Sequence, residues 1–298
     1  MSRTVSLSAK RTYGLARVCR VWRLSRATVF RQLRAANRAQ APRRRPGPNG
    51  PVSDDALADR IRALLAASRF HGEGYRKVWA RLRVSGVRTS PRRVLRVMRE
   101  HGLLTHQRPG APRGPRAHDG TITTERVDKM WGTDLTSVAT GEGTAAVFIA
   151  VDHCSAECVG IHASHRATRH EALEPVRQAV RRSFGAVGRD VATGLRIRHD
   201  HGSQYMSGDF QREIRFLGAE SSPAFVRAPE GNGSAERFIR TLKENLLWVR
   251  WFDTIEELRQ ALLDFQRTYN EEWIIQRHGY RTPAQVRQEQ TATMQKAA

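Results

Sequence analysis

Two stretches limit what this chain can fold into more than any other feature: residues 41–52 (APRRRPGPNGPV) and 107–120 (QRPGAPRGPRAHDG). Proline fixes φ and removes a backbone donor, and the adjacent arginines repel one another, so both stretches read as extended linkers. They cut the chain into three. The expected organisation is a helical module at 1–40, a linker at 41–53, a second helical module at 54–106, a linker at 107–124, a larger domain at 125–290 and a tail at 291–298.

Charge follows the same division. The formal net charge is +22, yet the first 120 residues hold 28 basic and 6 acidic residues while the remainder holds 23 of each. Only five of the 51 basic residues are lysine, a bias that a GC-rich genome explains; it does not explain missing acids in one segment. An excess of this kind marks a polyanionic partner, nucleic acid first and an anionic membrane surface second, and excludes an ordinary metabolic enzyme as the default. At 39% hydrophobic residues and a mean hydropathy of −0.57 the chain can bury a core. No stretch approaches the roughly 18 apolar residues of a spanning helix, so no membrane role is expected. Met1 to Lys10 lacks an apolar leader, and three cysteines cannot form a disulfide framework in a chain this long, which points to the cytoplasm.

Gly14 to Trp22 and Ala27 to Arg34 read as two short helices around a tight turn, with Val18, Val21, Leu24, Val29, Phe30 and Leu33 as apolar faces: a helix-turn-helix candidate. Asp54 to Ala67, Gly74 to Val84 and Pro91 to His101 read as three further helices. The last has Ser90 as cap, Pro91 at its first position and Gly102 just beyond its end. Its arginines, with Glu100 as the one pairing acid in sight, fit phosphate contacts.

After residue 124 the texture changes. Ala145 to Asp152, Glu157 to Ser164 and Leu195 to Asp200 read as strands; Glu171 to Phe184, Ser234 to Trp248 and Thr254 to Tyr269 read as helices, giving an α/β domain. Three acids stand out by position. Asp134 falls in a β-prone run, Asp200 ends a strand before a His201-Gly202-Ser203 turn, and Glu236 lies early in a helix after Gly231-Asn232-Gly233-Ser234. Carboxylates on two strands and an adjacent helix can converge, and hard divalent cations such as Mg²⁺ want such oxygen ligands. Arg240 and Lys243 lie four and seven residues beyond Glu236, on nearly the same helix face, where a phosphodiester could lie across them; a simple surface Glu–Arg pair is the bland alternative.

Asp200 and Glu236 have 35 residues between them, and Asp134 lies 66 positions before Asp200. This resembles the D,D(35)E signature of retroviral-integrase-like bacterial transposases, most closely the second-frame (OrfB-type) subunit of the family founded on insertion sequence three. Trp131-Gly132-Thr133-Asp134-Leu135-Thr136, Asp200-His201-Gly202-Ser203-Gln204-Tyr205, Glu236-Arg237-Phe238 with Leu242-Lys243, and Tyr269-Asn270 before Gly279-Tyr280-Arg281-Thr282-Pro283 agree in order and spacing. Gly74-Tyr75-Arg76 through Met98-Arg99-Glu100-His101-Gly102-Leu103 is similar to the helical DNA-binding module that precedes the core in that family.

The resemblance implies an RNase H-like catalytic core preceded by all-α helix-turn-helix modules. It implies a transposase in which Asp134, Asp200 and Glu236 are catalytic and hold two Mg²⁺ ions, with Mn²⁺ as a substitute. DNA contacts would come from Lys243, Arg240, Arg92, Arg93, Arg96, Arg76, Lys77, Arg26 and Arg31. The partners would be double-stranded DNA (terminal inverted repeats and target), further copies of the chain in a synaptic complex, and an upstream-frame protein as a candidate. The chain departs from the family pattern at Arg198-His199, at Trp273 and Ile275, and at Asp152-His153-Cys154-Ser155-Ala156.

Rival readings are weaker. Cys154, Cys158, His162 and His165 suggest zinc, but 158, 162 and 165 run along one predicted strand, where four residues span about 13 Å. His199 and His201 read first as structural. Ser203 or Tyr205 as a covalent nucleophile lacks an activating constellation. A catalytically silent DNA-binding regulator derived from a transposase is the alternative function, and a structure-specific nuclease on the same core a third.

Overall fold

A computed structural model describes residues 4–38, 52–105, 122–224 and 229–297. The expected linkers at 41–53 and 107–124 fall largely outside them. Two compact units result, residues 1–51 and 52–298.

In the first unit, α1 (Leu15–Val21) and α2 (Arg26–Arg38) flank a turn. Arg23 takes a φ of 53° there, and the Leu24 N–H returns to the Cys19 carbonyl at 2.9 Å. The helix pair is as expected, but its apolar core is not. Among the described residues of this unit only Cys19 is buried, and Val21, Leu24, Phe30 and Leu33 are exposed. Two helices this short enclose too little volume to bury both faces.

The second unit opens with α3 (Asp54–Ala67), α4 (Tyr75–Val84) and α5 (Pro91–Glu100), each within a residue of its expected span. Ser53 accepts the Ala56 N–H and Ser90 the Arg93 N–H, both at 3.2 Å, which satisfies donors the first turns leave free. Leu57, Ile61, Val78, Leu82, Val94, Val97 and Met98 form a small core of their own.

A five-stranded mixed sheet with order β3-β2-β1-β4-β5 follows. β1 (Met130–Thr140), β2 (Gly143–Asp152) and β3 (Cys158–Ser164) form an antiparallel meander; β4 (Arg196–His199) and β5 (Glu220–Pro223) add in parallel on the other side of β1. Both faces of the sheet are covered. Ala146, Phe148 and Ala150 face α6 (Arg169–Phe184) and the pair α7 (Ser203–Met206) and α8 (Gly208–Phe216). Ala145, Val147, Ile149 and Val151 face α9 (Gly233–Leu242) and α10 (Ile255–Glu272). This is why β2 reads as an unbroken apolar run rather than an alternation.

The expected helix from Ser234 to Trp248 is interrupted, because α9 gives way to a π-helical turn over Lys243–Leu247. The last helix, α11 (Pro283–Ala297), runs through the boundary drawn at 290. Arg287 pins it to the domain through Asp128 at 2.6 Å and through the fully buried Glu157. Among the described residues no helix is long and apolar enough to cross a membrane.

The α3–α5 module is docked on this domain. Phe70, between α3 and α4, enters the core beneath α9 and α10, edge-on to Trp273 at 4.8 Å and to Phe265 at 6.3 Å. Next to it the His71 N–H donates to Asn245 Oδ1 at 2.7 Å, and Asn245 Nδ2 donates to the Thr241 carbonyl at 2.9 Å, inside the π turn. Phe70→Ala should lower the free energy of unfolding by about 3–5 kcal/mol, the usual loss for a buried phenylalanine. Denaturant titration reads this directly, and faster proteolysis within residues 52–105 should accompany it.

Candidate active site

The parallel ladder between β1 and β4 pairs Met130 with Arg196, Trp131 with Ile197 and Gly132 with Arg198, an offset of 66 residues. Asp134 and Asp200 differ by the same 66, so both lie two residues past the last paired level. Neighbouring strands are about 4.8 Å apart. Alternation then sorts the faces: Trp131 and Ile197 belong to the core under α6 and α8, so Gly132, Asp134 and Asp200 have the parity of the opposite side, where α9 lies.

α9 can reach this point because residue 132 is glycine. A Cβ there would strike Asn232 Oδ1, stand 2.8 Å from His153 Nε2 and press on the Ala235 methyl at 3.4 Å. The helix start therefore rests on the strand backbone two residues before Asp134, and Glu236, in the first turn of α9, is exposed beside it.

The electrostatics agree. Asp134 is half-buried, with Oδ1 accepting the Leu135 N–H at 2.8 Å. Burial pushes its carboxyl up to about 6, and repulsion from Asp200 and Glu236 pushes the same way, against the Leu135 bond and the Lys243 charge. Asp200 closes the turn after β4, where its Oδ1 accepts the Gly202 N–H at 2.8 Å. Among the described residues no three His, Cys, Asp or Glu side chains are arranged to enclose an ion as they stand. The acidic three are neighbours rather than an assembled cage. As a donor set they suit a hard divalent cation, being all oxygen and mutually repulsive in a way that a cation relieves.

Structural roles account for the other polar groups. His199 is fully buried, held by the Asp200 carbonyl at 2.6 Å and Ser221 Oγ at 2.8 Å, and stacks on Tyr205. Burial lowers its pKa. The Tyr205 phenol is buried and pushed well above its usual value, first by desolvation and then by Asp134 and Asp200, so it stays protonated and unsuited to nucleophilic attack. Burial pushes the Cys154 thiol up to about 11, Cys158 further, and His162 bonds Glu171 at 2.5 Å. No zinc site forms among the described residues.

The basic residues divide. Lys243 acts electrostatically on Asp134. Arg240 is exposed and paired with Glu244 at 2.9 Å, not with Glu236 as the surface-pair alternative had it. Arg26, Arg31 and Arg92 are exposed, as is Arg76, which bonds Tyr75 Oη at 3.2 Å. Two expectations need correction. The arginines of α5 do not lack an acid: Asp54, at the start of α3, pairs with both Arg93 and Arg96 at 2.9 Å, an inter-helix contact across some forty residues that local spacing cannot show. Lys77 does not face outward; its Nζ lies 2.7 Å from the centre of the Trp273 ring, and burial lowers its pKa to about 7. That placement removes Lys77 from the DNA-facing set and gives Trp273, a departure from the family pattern, a structural role. Sequence reasoning also missed the work of Asn270, whose side chain brackets the Cys158 N–H and carbonyl at 2.9 Å each and so closes the outer edge of β3.

Residues 124–229 and 218–283 match models described as integrase core domain, and residues 53–110 match an HTH-like domain. The chain is 28% identical over 281 residues to transposase InsD of insertion element IS2 from Escherichia coli, covering 92% of this chain and 90% of that one. Among solved structures, the catalytic core domain of BIV integrase superposes with a TM-score of 0.42 at 18% identity, covering 56% of this chain and 98% of that one. The HTLV-2 integrase catalytic core domain in complex with magnesium gives 0.41 at 18% identity, covering 55% and 98%.

The integrase-core and InsD matches define a polynucleotidyl transferase built on an integrase core. The chain is an insertion-sequence transposase, with an HTH-like domain ahead of that core.

Asp134 also makes a stability prediction. Its carboxyl, near 3.8 when unperturbed, rises to about 6 in the fold. The fold is therefore unpenalised where the group is protonated in both states, below about pH 4, and loses stability as pH climbs through 6. Asp134→Asn should raise the melting temperature of the metal-free protein at pH 8, with the gain shrinking toward pH 4. Added Mg²⁺ should then stabilise the wild type more than the variant.

Proposed function

We propose that Asp134, Asp200 and Glu236 are the catalytic residues of this transposase and hold two Mg²⁺ ions, with Mn²⁺ as a workable substitute. The observation that carries the reading is that β1, the end of β4 and the first turn of α9 bring three carboxylates to one side of the sheet, near enough for Asp200 and Glu236 to push the Asp134 carboxyl up. When bound, the divalent ions supply Lewis-acid activation of the attacking and leaving oxygens of a phosphodiester. The protein's own groups orient that phosphodiester. Lys243, close enough to act on Asp134, holds a backbone phosphate beside the carboxylates, and Arg240, released from Glu244, extends the contact. Water attacks first, freeing a 3′-OH at the element end; that hydroxyl then attacks a target phosphodiester, exchanging one P–O bond for another. Tyr205 and His199 keep Asp200 in place and take no part in bond making.

Recognition of the terminal inverted repeats falls to residues 1–51 and to the exposed basic face of the α3–α5 module, with Arg26, Arg31, Arg76 and Arg92 as contacts. Arg93 and Arg96 serve by fixing α5 against α3. Joining two ends in one reaction requires several copies of the chain in a synaptic complex.

A donor-cleavage and strand-transfer assay with Mg²⁺ is the direct test. Asp134→Asn, Asp200→Asn and Glu236→Gln should each abolish DNA joining while leaving end binding intact; joining that persists would refute the assignment. Residues 1–51 contain 13 basic and no acidic residues. A chain lacking them should lose a large part of the salt dependence of DNA binding, because fewer counterions are released. An unchanged slope of log Kd against log salt would move the electrostatic footprint into residues 52–298.

A further inference from the structure

We propose that Asn232 is a positioning residue that sets the helix of Glu236 against the strand of Asp134, with the missing side chain of Gly132 as its socket. The proposal rests on the reading of the three carboxylates given above.

Asn232 immediately precedes α9 and is almost fully buried. It makes no side-chain cap of that helix. Instead its Nδ2 crosses to the sheet and donates to the Thr133 carbonyl at 2.9 Å. Thr133 adjoins Asp134 in the chain, and Asn232 stands one helical turn before Glu236, so this one bond spans the two acid-bearing elements at the level of the site. It also sits where sheet pairing stops. The β1–β4 ladder ends at Gly132 and Arg198, and beyond it the Thr133 carbonyl is taken by Asn232 while the Thr133 hydroxyl reaches the Arg198 carbonyl at 3.2 Å.

The amide is held in one orientation at a cost. Asn232 Oδ1 is buried with no hydrogen-bond partner, and so is His153 Nε2, the other polar atom over Gly132. If this position served packing alone, leucine would fill it without an unpaired acceptor. What asparagine adds is the directed N–H, which fixes both the height and the rotation of the α9 start. Any Cβ at residue 132 would strike that amide. Displacement of about 1 Å at a reacting centre can slow chemistry a hundredfold.

The test compares Asn232→Asp, which keeps the shape and removes the donor, with Asn232→Leu, Gly132→Ala, the Gly132→Ala/Asn232→Asp double variant and Asp134→Asn in the full chain. Strand transfer at saturating end DNA should slow by about ten- to a hundredfold in both Asn232 variants. The Mg²⁺ concentration for half-maximal rate should rise, and the affinity for end DNA should stay at its wild-type value. The double variant should be no slower than the worse single, because both changes break the same bond. In the metal-free protein, amide exchange at the start of α9 should accelerate in Asn232→Asp. If Asn232→Leu does not fold, Asn232→Asp carries the test. Wild-type rate, Mg²⁺ dependence and exchange in Asn232→Asp overturn the proposal. So does weakened end binding with an unchanged rate at saturation, which would make Asn232 a DNA contact. Joining that survives in Asp134→Asn refutes the site assignment instead, and the exchange measurement then still decides whether Asn232 fixes α9.

Discussion

The crossing of α9 over the backbone of β1 at Gly132 is the contact on which the rest of this structure depends. A helix normally stands off a sheet by the thickness of two side-chain layers. Here one layer is missing at one residue, and the helix start comes down onto the strand. The same economy recurs elsewhere on the sheet. Gly160 lets the Pro175 carbonyl of α6 press on β3, and Gly231 lies over the Arg198 guanidinium. At these points a methyl group would have to displace backbone or a buried cation. Close approach is what allows an acid on a helix to share a field with acids on two strands.

A second constraint comes from Phe70. It makes the α3–α5 module part of the same folded unit as the core, despite the proline-rich segment that separates them in sequence. The segment next to Phe70 bonds Asn245 within the π turn, directly after Lys243. A π turn carries one extra residue and leaves a carbonyl without its usual partner. The Asn245 amide takes the Thr241 carbonyl and accepts the His71 N–H, so the irregular turn and the docked module stabilise each other.

Arginine is used in two distinct ways. Many of its side chains in the second unit are committed to acids: Arg93 and Arg96 to Asp54, Arg81 to the buried Glu73, and Arg287 to Asp128 and Glu157. Ion pairs that hold elements together need a rigid planar fork, which lysine lacks. Residues 1–51 hold 13 basic and no acidic residues of their own. A basic composition therefore overstates the uncommitted charge of residues 52–298.

Much was legible in the sequence because it is written locally. The cap at Ser90 marked a helix start, the apolar run of β2 marked a strand, and the spacing of Asp134, Asp200 and Glu236 marked a candidate acidic site. Elements such as β5 and α8 escaped because four residues of strand and nine of helix leave too short a periodic signal. Interactions between distant residues were not legible at all. Lys77 and Arg93 look alike in sequence, a basic residue on an amphipathic helix, yet one lies on Trp273 and the other on Asp54. Spacing along a helix gives the face a residue occupies, not what that face meets. The sequence by itself determined most of the longer elements, the charge partition and the spacing of the three acids. Only the tertiary structure decided that Gly132 and Asn232 hold two of them together, because a glycine in a strand and an asparagine before a helix acquire that role only when the two backbones touch.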